Sequence, residues 1–271
     1  MESVTPKSKE LSILVYSCWK NSDMWSLFLQ LFRKYWPDCP YQLILLTDKL
    51  NGSKASEYGF DDVVVLDANW HDMLMAGIER AGTPHVMLWM DDYFLYDYVK
   101  NADIEHHLNT AIKYNAANIR FIQTTIMPVK PFDKNGEYDV CESGEVYSLS
   151  TQVGIWKAEF LKEIIEPEWT PWDFERIGSI INQDKRYPLL ITREYRFPYE
   201  EVVKQGKWLE SGVRLCTREH INLDFSRRKA MSSFETAKLF FMKGILEINP
   251  MFIVKVQNAL GNRKVRARRK K

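Results

Sequence analysis

No segment of the 271-residue chain holds 18 uninterrupted apolar residues, and Met1 to Glu10 is polar without an apolar run of leader length. The sequence therefore predicts neither a spanning helix nor a secretory signal, and implies a cytoplasmic location that leaves peripheral membrane contact open. Cysteine is sparse: Cys18, Cys39, Cys141 and Cys216 are too far apart for the paired spacing of a zinc site and too few for a disulfide scaffold, and read as reduced thiols. Glycine-rich phosphate cradles are missing as well. There is no G-x-x-x-x-G-K-[ST] loop and no G-x-G-x-x-G after the first apolar run, which excludes a P-loop NTPase and a Rossmann dehydrogenase. A G-x-S-x-G elbow is also absent, against an α/β-hydrolase. Net charge is nearly nil at +1 but uneven. Residues 251–271 hold eight Lys or Arg and no acid, which leaves −7 for residues 1–250. An acidic body of that kind argues against nucleic acid as a partner.

What is present is an alternation of β-rich and helical runs, the pattern of an α/β fold whose mostly parallel central sheet is flanked by helices. Leu11 to Tyr16 reads as a first strand, and Ser22 or Asp23 as the cap of a helix carrying Trp25, Phe28, Leu29, Phe32 and Trp36 up to Pro37. Strands follow at Tyr41 to Thr47 and Val63 to Leu66, then a helix capped by Asn69 and ended by Gly82 and Pro84. His85 to Met90 is an almost unbroken apolar run, as in a central strand buried on both faces, and it leads straight into Asp91 and Asp92. A helix through Ile104, His107, Leu108, Ala111 and Ile112 precedes a strand at Ile119 to Thr125. Met127 to Ser143 is turn-rich and irregular, Tyr147 to Trp156 a strand, Lys157 to Ile165 a helix, and Pro171 opens a further helix to about Ile181.

Ligands of open parallel sheets collect beyond the carboxyl ends of the strands. Three expected strands end there in polar residues: Ser17 with Cys18 and Trp19, Thr47 with Asp48, and Asp91 with Asp92. Asp48 suits a nucleotide base or ribose, and equally a turn or helix cap. Asp91 and Asp92 have no basic residue near in sequence, so keeping both ionised calls for water or a cation. Mg²⁺ or Mn²⁺ held by one or two carboxylates bridges to a diphosphate and neutralises a departing nucleotide; a strand-end turn is the plain alternative. Gln152 is polar on an otherwise apolar run and suits hydrogen bonding to a sugar. Lys207 could bring a cation to the diphosphate, or sit in a solvated hairpin, and His220 could complete a metal site, or stand on the surface. Trp89, Trp156, Trp172 and Trp208 are candidate sugar platforms, and equally packing residues.

Three segments together resemble bacterial glycosyltransferases of GT-A fold found among capsule and lipopolysaccharide biosynthesis enzymes. Leu88-Trp89-Met90-Asp91-Asp92-Tyr93-Phe94-Leu95 is similar to that family's D-x-D motif for metal and sugar nucleotide, with Met90 in the place of its first acid. Ser150 to Lys157 with Phe160-Leu161 resembles the strand-to-helix segment lining donor sugar and acceptor, and Pro171-Trp172-Asp173-Phe174-Glu175 the W-x-F-E motif. The likeness runs from about residue 11 to 215. It implies a nucleoside-diphosphate sugar donor, a glycan or lipid-linked glycan acceptor, Asp92 as metal ligand, Asp91 meeting the ribose or supporting that ligand, and Glu175 as catalytic base. On physical grounds Glu175 and Asp173 are both candidates: apolar neighbours such as Trp172 and Phe174 make a carboxylate a stronger base, while the helix dipole favours any acid in a first turn.

The expected organisation is thus a nucleotide-sugar-binding and catalytic domain over 1–215 and a helical, basic extension over 216–271. Phe234 to Leu260 with the basic residues after it is too polar to span a bilayer but fits an interfacial segment on an anionic membrane surface, a packed helix or a solvated tail. The competing functions are a sugar nucleotidylyltransferase, whose glycine-rich N-terminal loop is missing, and a non-catalytic nucleotide-sugar-binding module.

Overall fold

The apolar runs Leu11–Tyr16 (β1) and His85–Met90 (β4) lie side by side, parallel and paired from Leu11 with His85 to Tyr16 with Met90. Both match the sequence expectation to the residue, because strands covered on both faces need apolar side chains in both directions. The protein is described here by a computed structural model over residues 7–51, 58–121, 128–145 and 147–239. Between these strands come Ser22–Tyr35 (α1), Gln42–Thr47 (β2), Asp62–Val65 (β3) and Trp70–Ala81 (α2). After them come Tyr93–Leu95 (β5), Asn101–Tyr114 (α3), Asn118–Arg120 (β6), Val129–Pro131 (β7), Tyr138–Cys141 (β8), Gly154–Lys157 (β9) and Ala158–Ile164 (α4). Pro171–Asp173, a π-helical Phe174–Gly178 and Ser179–Ile181 join as one helical stretch (α5). Leu189–Thr192 (β10), Tyr199–Glu201 (β11), Val203–Lys204 (β12), Lys207–Trp208 (β13) and Glu210–Arg218 (α6) complete the order.

Nine strands form the central sheet in the order β3-β2-β1-β4-β9-β6-β10-β8-β7. Only β8 and β9 run against the rest, so the expected mostly parallel α/β sheet is what forms. One face packs α1 and α3 through Trp25, Phe28, Phe32, Ile104 and Leu108 against Ile13, Val15 and Trp89. The other packs α2, α4 and α5 through Leu74, Ile78, Leu161 and Phe174 against Leu14, Leu88 and Trp156. Asn69 caps α2 as expected, accepting from the Asp72 N–H at 2.9 Å, and Gly82 ends it in the left-handed region at φ +62°.

Three stretches differ from expectation. Residues 128–143 are not irregular throughout: β7 and β8 form an antiparallel pair on the sheet edge, and β7 is too short and exposed to leave a hydrophobic pattern. The strand expected at Tyr147 to Trp156 begins only at Gly154, because the residues before it are bound to other elements as a turn. A Cβ at Gly154 would lie 2.6 Å from the Ile119 carbonyl oxygen, so only glycine lets β9 approach β6 this closely. Of the strand expected at Ile119 to Thr125, residues 122–125 lie outside the described residues. Helix α6 passes through residue 215, the expected domain boundary. The chain beyond it returns to the body, where Trp208 N–H donates to the Lys229 carbonyl and Met231 N–H to the Trp208 carbonyl. Residues 240–271, with most of the expected interfacial segment, lie outside the described residues. No helix among the described residues is long and apolar enough to cross a membrane.

Candidate functional site at the end of strand β4

Strand β4 stops at Met90, and the next two residues turn the chain into β5, which pairs with β11. Asp91 is 4% exposed, and its Oδ2 accepts from the Ser17 hydroxyl, which in turn accepts from the Trp25 indole N–H at 2.7 Å. The end of β1, the first turns of α1 and the end of β4 are thereby tied together. Burial pushes the Asp91 carboxyl up to about 6, although the Ser17 and Asn21 bonds and the charge of Arg228 pull it down. Asp92 is pushed to about 8, first by burial, then by Asp91 and Glu201. Glu201 stands opposite Tyr93 across the β5–β11 pair, and the Val202 N–H donates to the Asp92 carbonyl at 2.8 Å.

Burial opposes the ionisation of both acids, and Asp91 and Glu201 oppose that of Asp92 further, against the weaker pull of Arg228 on Asp91 and of Lys204 on Asp92. Asp92 makes no ion pair among the described residues, and no group of three or more metal-ligating side chains occurs among them. The donor set fits Mg²⁺ or Mn²⁺, hard cations that take one or two carboxylates and fill the remaining positions with phosphate oxygens and water. His220 does not join it. It is exposed, at φ +57°, next to Glu219, which bonds Lys34 and Tyr35 at the far end of α1. That helix is 14 residues long, about 20 Å, which separates His220 from the acid pair.

The other expected residues divide similarly. The Ser17 hydroxyl is committed to Asp91 rather than left for a nucleotide. Asp48 Oδ1 accepts the Trp19 backbone N–H at 2.5 Å, so it pins the turn after β1 with one oxygen. Trp19 is half-buried, edge-on to Trp25 at 5.9 Å. Gln152 links two tyrosines whose rings meet at a tilt: its Nε2 donates to the Tyr93 hydroxyl at 3.3 Å, and the Tyr199 hydroxyl donates to its Oε1. Lys207 is paired with Glu235, a consequence of the return of the C-terminal segment to β13, and is not a free cation for a diphosphate. Of the four candidate platforms, Trp89, Trp156 and Trp208 are buried, and Trp172 is 68% exposed.

Glu175 and Asp173 take different roles. Asp173 closes a capping box with Thr170, accepting that residue's N–H at 3.1 Å and hydroxyl at 2.7 Å. Its carboxylate serves as a helix cap. Glu175 lies in the π-helical turn, and its Oε1 accepts from the Ser150 hydroxyl at 3.1 Å, the Thr151 N–H at 2.7 Å and the Thr151 hydroxyl at 2.9 Å. Oε2 makes no hydrogen bond among the described residues. The Tyr93 hydroxyl feels the charges of Asp92, Glu201 and Glu175 alike, and burial above all pushes it well above its usual value. Asp92 and Glu175 thus both act on one phenol, which Gln152 bonds. A separate concavity of about 660 Å³, lined by Ile78, Gly82 and Lys157 among others, lies at the opposite ends of the strands and includes none of them.

Two arginines escaped sequence reasoning. Arg120 is 2% exposed at the end of β6, and its Nη2 donates to the carbonyls of Tyr147 at 3.1 Å and Ser148 at 2.8 Å. A single charge inside the apolar Ile119–Phe121 run was its signal. Arg228 is 6% exposed and holds Asp23 with two bonds of 3.0 Å and Asn21 with one of 2.9 Å, beside the Asp91 carboxyl. Within the basic run Arg227-Arg228-Lys229 nothing marked it out.

No protein-family model matches the sequence, and no curated protein is similar to it. Solved structures similar to this chain include residues 1–349 of S. aureus TarS in complex with UDP-GlcNAc, 10% identical, with a TM-score of 0.49 over 73% of this chain and 60% of that one. The same TarS fragment in complex with UDP is 13% identical, with a TM-score of 0.45 over 80% and 68%. A cytidylyltransferase from Leptospira borgpetersenii is 8% identical, with a TM-score of 0.44 over 83% and 99%. The chain spans less than two thirds of the TarS structure with UDP-GlcNAc.

Proposed function

We propose that the chain is a metal-dependent glycosyltransferase of the GT-A type, which takes a sugar from a nucleoside-diphosphate donor and transfers it with inversion to a carbohydrate acceptor. The observation that carries this reading is the joining of a largely buried acid pair, Asp91 and Asp92, to a restrained carboxylate, Glu175, by way of Tyr93, Gln152 and the neighbouring Thr151. The acid pair would hold Mg²⁺ or Mn²⁺, with Asp92 as the ligand and Asp91, fixed by Ser17, in support. When bound, the cation supplies positive charge to the diphosphate as it departs. Gln152 orients the donor sugar, and Asp48 and Trp19 border the nucleoside.

Glu175 accepts three hydrogen bonds on Oε1, which fixes its plane and keeps Oε2 for the proton of the acceptor hydroxyl as that oxygen attacks the anomeric carbon. Trp172, exposed at the start of the same helix, offers an indole face for a pyranose. The acceptor is a surface glycan, lipid-linked where the basic residues of 251–271 meet anionic lipid at about 1 kcal/mol per charge near the surface. The turn after β1 has no glycine and is closed by Trp25, which disfavours a nucleotidylyltransferase. The two reactions differ in product. Incubation with UDP-, GDP-, CDP- and dTDP-sugars and Mn²⁺ is expected to release a nucleoside diphosphate, in amounts that collapse in Glu175→Gln; pyrophosphate formed from a nucleoside triphosphate and a sugar phosphate would overturn the reading.

A further inference from the structure

The carboxylate of Glu175 is set from outside its own helix. Its three donors belong to Ser150 and Thr151, in a turn that follows Tyr147, a non-glycine residue at φ +62°. That conformation costs a tyrosine free energy and persists only where surrounding bonds over-determine it. Two sets of bonds do so. From below, the Arg120 guanidinium spans the carbonyls of Tyr147 and Ser148 with a single Nη2, at 3.1 and 2.8 Å. From the side, the wholly buried Ser179 hydroxyl accepts the Leu149 N–H at 2.9 Å and donates to the Glu175 carbonyl at 2.6 Å. Ser179 thus ties the turn to the π-helical residues that carry Glu175. A π-helical turn inside an α-helix is held at a cost and recurs at functional sites. Here it falls on the five residues Phe174–Gly178.

We infer that Arg120 and Ser179 are positioning residues for Glu175, acting through the Tyr147–Thr151 turn. Neither lies where a substrate reaches: Arg120 is 2% exposed and Ser179 wholly buried. A charge at the floor of a sheet is costly unless it is bonded. Burial lowers the Arg120 pKa, and the charge of Glu175 is among the groups that oppose this. Arg120 therefore serves the turn twice, as a fork for two carbonyls and as a cation behind the carboxylate that the turn orients.

The inference rests on Glu175 being the base, and a double-mutant cycle separates the two ideas. Release of nucleoside diphosphate is measured with whichever sugar nucleotide of the four-base panel is turned over fastest, on Ser179→Ala, Arg120→Lys and Glu175→Gln, singly and paired with Glu175→Gln. Ser179→Ala and Arg120→Lys are each expected to lower kcat about tenfold, the size of a coupling between contacting groups. The donor KM and the melting shift given by UDP, GDP, CDP or dTDP with Mn²⁺ should stay as in the parent, and neither change should lower kcat further once Glu175 is Gln. Losses that multiply with Glu175→Gln would overturn the positioning role and leave the base assignment standing. An unimpaired Glu175→Gln would instead remove the base, and the positioning role with it. Should Arg120→Lys fail to fold, the Ser179→Ala cycle decides alone, because it deletes one hydroxyl and leaves the guanidinium in place.

Discussion

The hydroxyl of Ser17 and the carboxylate of Asp91, 74 residues apart, meet in a hydrogen bond that joins the ends of β1 and β4, and the Trp25 indole holds the same hydroxyl from the other side. Removing the hydroxyl takes away a bond that favours the charged form of Asp91, so that carboxyl should rise above its present value of about 6. Ser17→Ala is expected to weaken nucleoside diphosphate binding with Mn²⁺ about tenfold near pH 6 and much less near pH 8, the size of a hydrogen bond to a charged group. Calorimetric titration at the two pH values checks this.

The acid pair makes the metal-free protein sensitive to alkali. Both carboxyls hold their protons more tightly in the folded chain, at about 6 and about 8, than at the ordinary 3.8 of the unfolded chain. The folded state therefore binds more protons in this window, and its stability falls as pH rises from about 4 through 6 and then 8. Asp92→Asn removes part of that loss. In the absence of metal it should melt a few degrees above the parent at pH 8, as about 1 kcal/mol gives a domain of this size, and equal it near pH 4. Mn²⁺ should raise the parent and leave the variant unmoved, read by differential scanning fluorimetry.

The two acids of the Pro171–Glu175 segment should separate cleanly. Asp173→Asn weakens a capping box and is expected to cost about 1 kcal/mol of stability while leaving kcat near the parent. Glu175→Gln should keep the melting temperature and lose at least about a hundredfold in turnover, the usual worth of a general base. Paired melting curves and turnover assays on the two variants decide it.

Arg228 closes the C-terminal segment onto α1. Its side chain is 6% exposed and that of Asp23 12%. Arg228→Met would leave the largely enclosed Asp23 only its longer 3.8 Å pair with Arg227, and about 3 kcal/mol of stability should be lost in urea unfolding. A chain cut after Leu215 should be destabilised for the same reason. A chain cut after Leu239 keeps the pair, and flotation with phosphatidylglycerol vesicles should show it losing the membrane binding expected of the basic tail.

Much of this was legible in the sequence because the inner strands are read by burial alone. Apart from Ser12, Leu11–Tyr16 and His85–Met90 have no polar interruption until their ends, and the acids that follow β4 stand out against that run. Asn69 and Gly82 bound α2 through local chemistry, a side-chain cap and a left-handed φ. The Tyr147–Gln152 stretch resisted reading since its conformation is set by Arg120, Glu175 and Ser179, 25 or more residues away in most of these bonds. For Lys207 and His220 both readings stayed open in the sequence for a related reason: a partner such as Glu235, or a position at the far end of α1, is fixed by the path of the chain after α6, which carries no periodic signal. Asp48 and Ser17 were found at the right strand ends, but the sequence does not reveal that each spends an oxygen on holding the β1 turn.

The central claim is that Asp92 holds a divalent cation for a nucleoside diphosphate. The most direct test is the melting temperature of the parent and of Asp92→Ala with UDP, GDP, CDP and dTDP, each with and without Mn²⁺. The account predicts stabilisation of the parent by one diphosphate, only with Mn²⁺, and none in Asp92→Ala. Stabilisation that persists without metal, or that survives in Asp92→Ala, would contradict it.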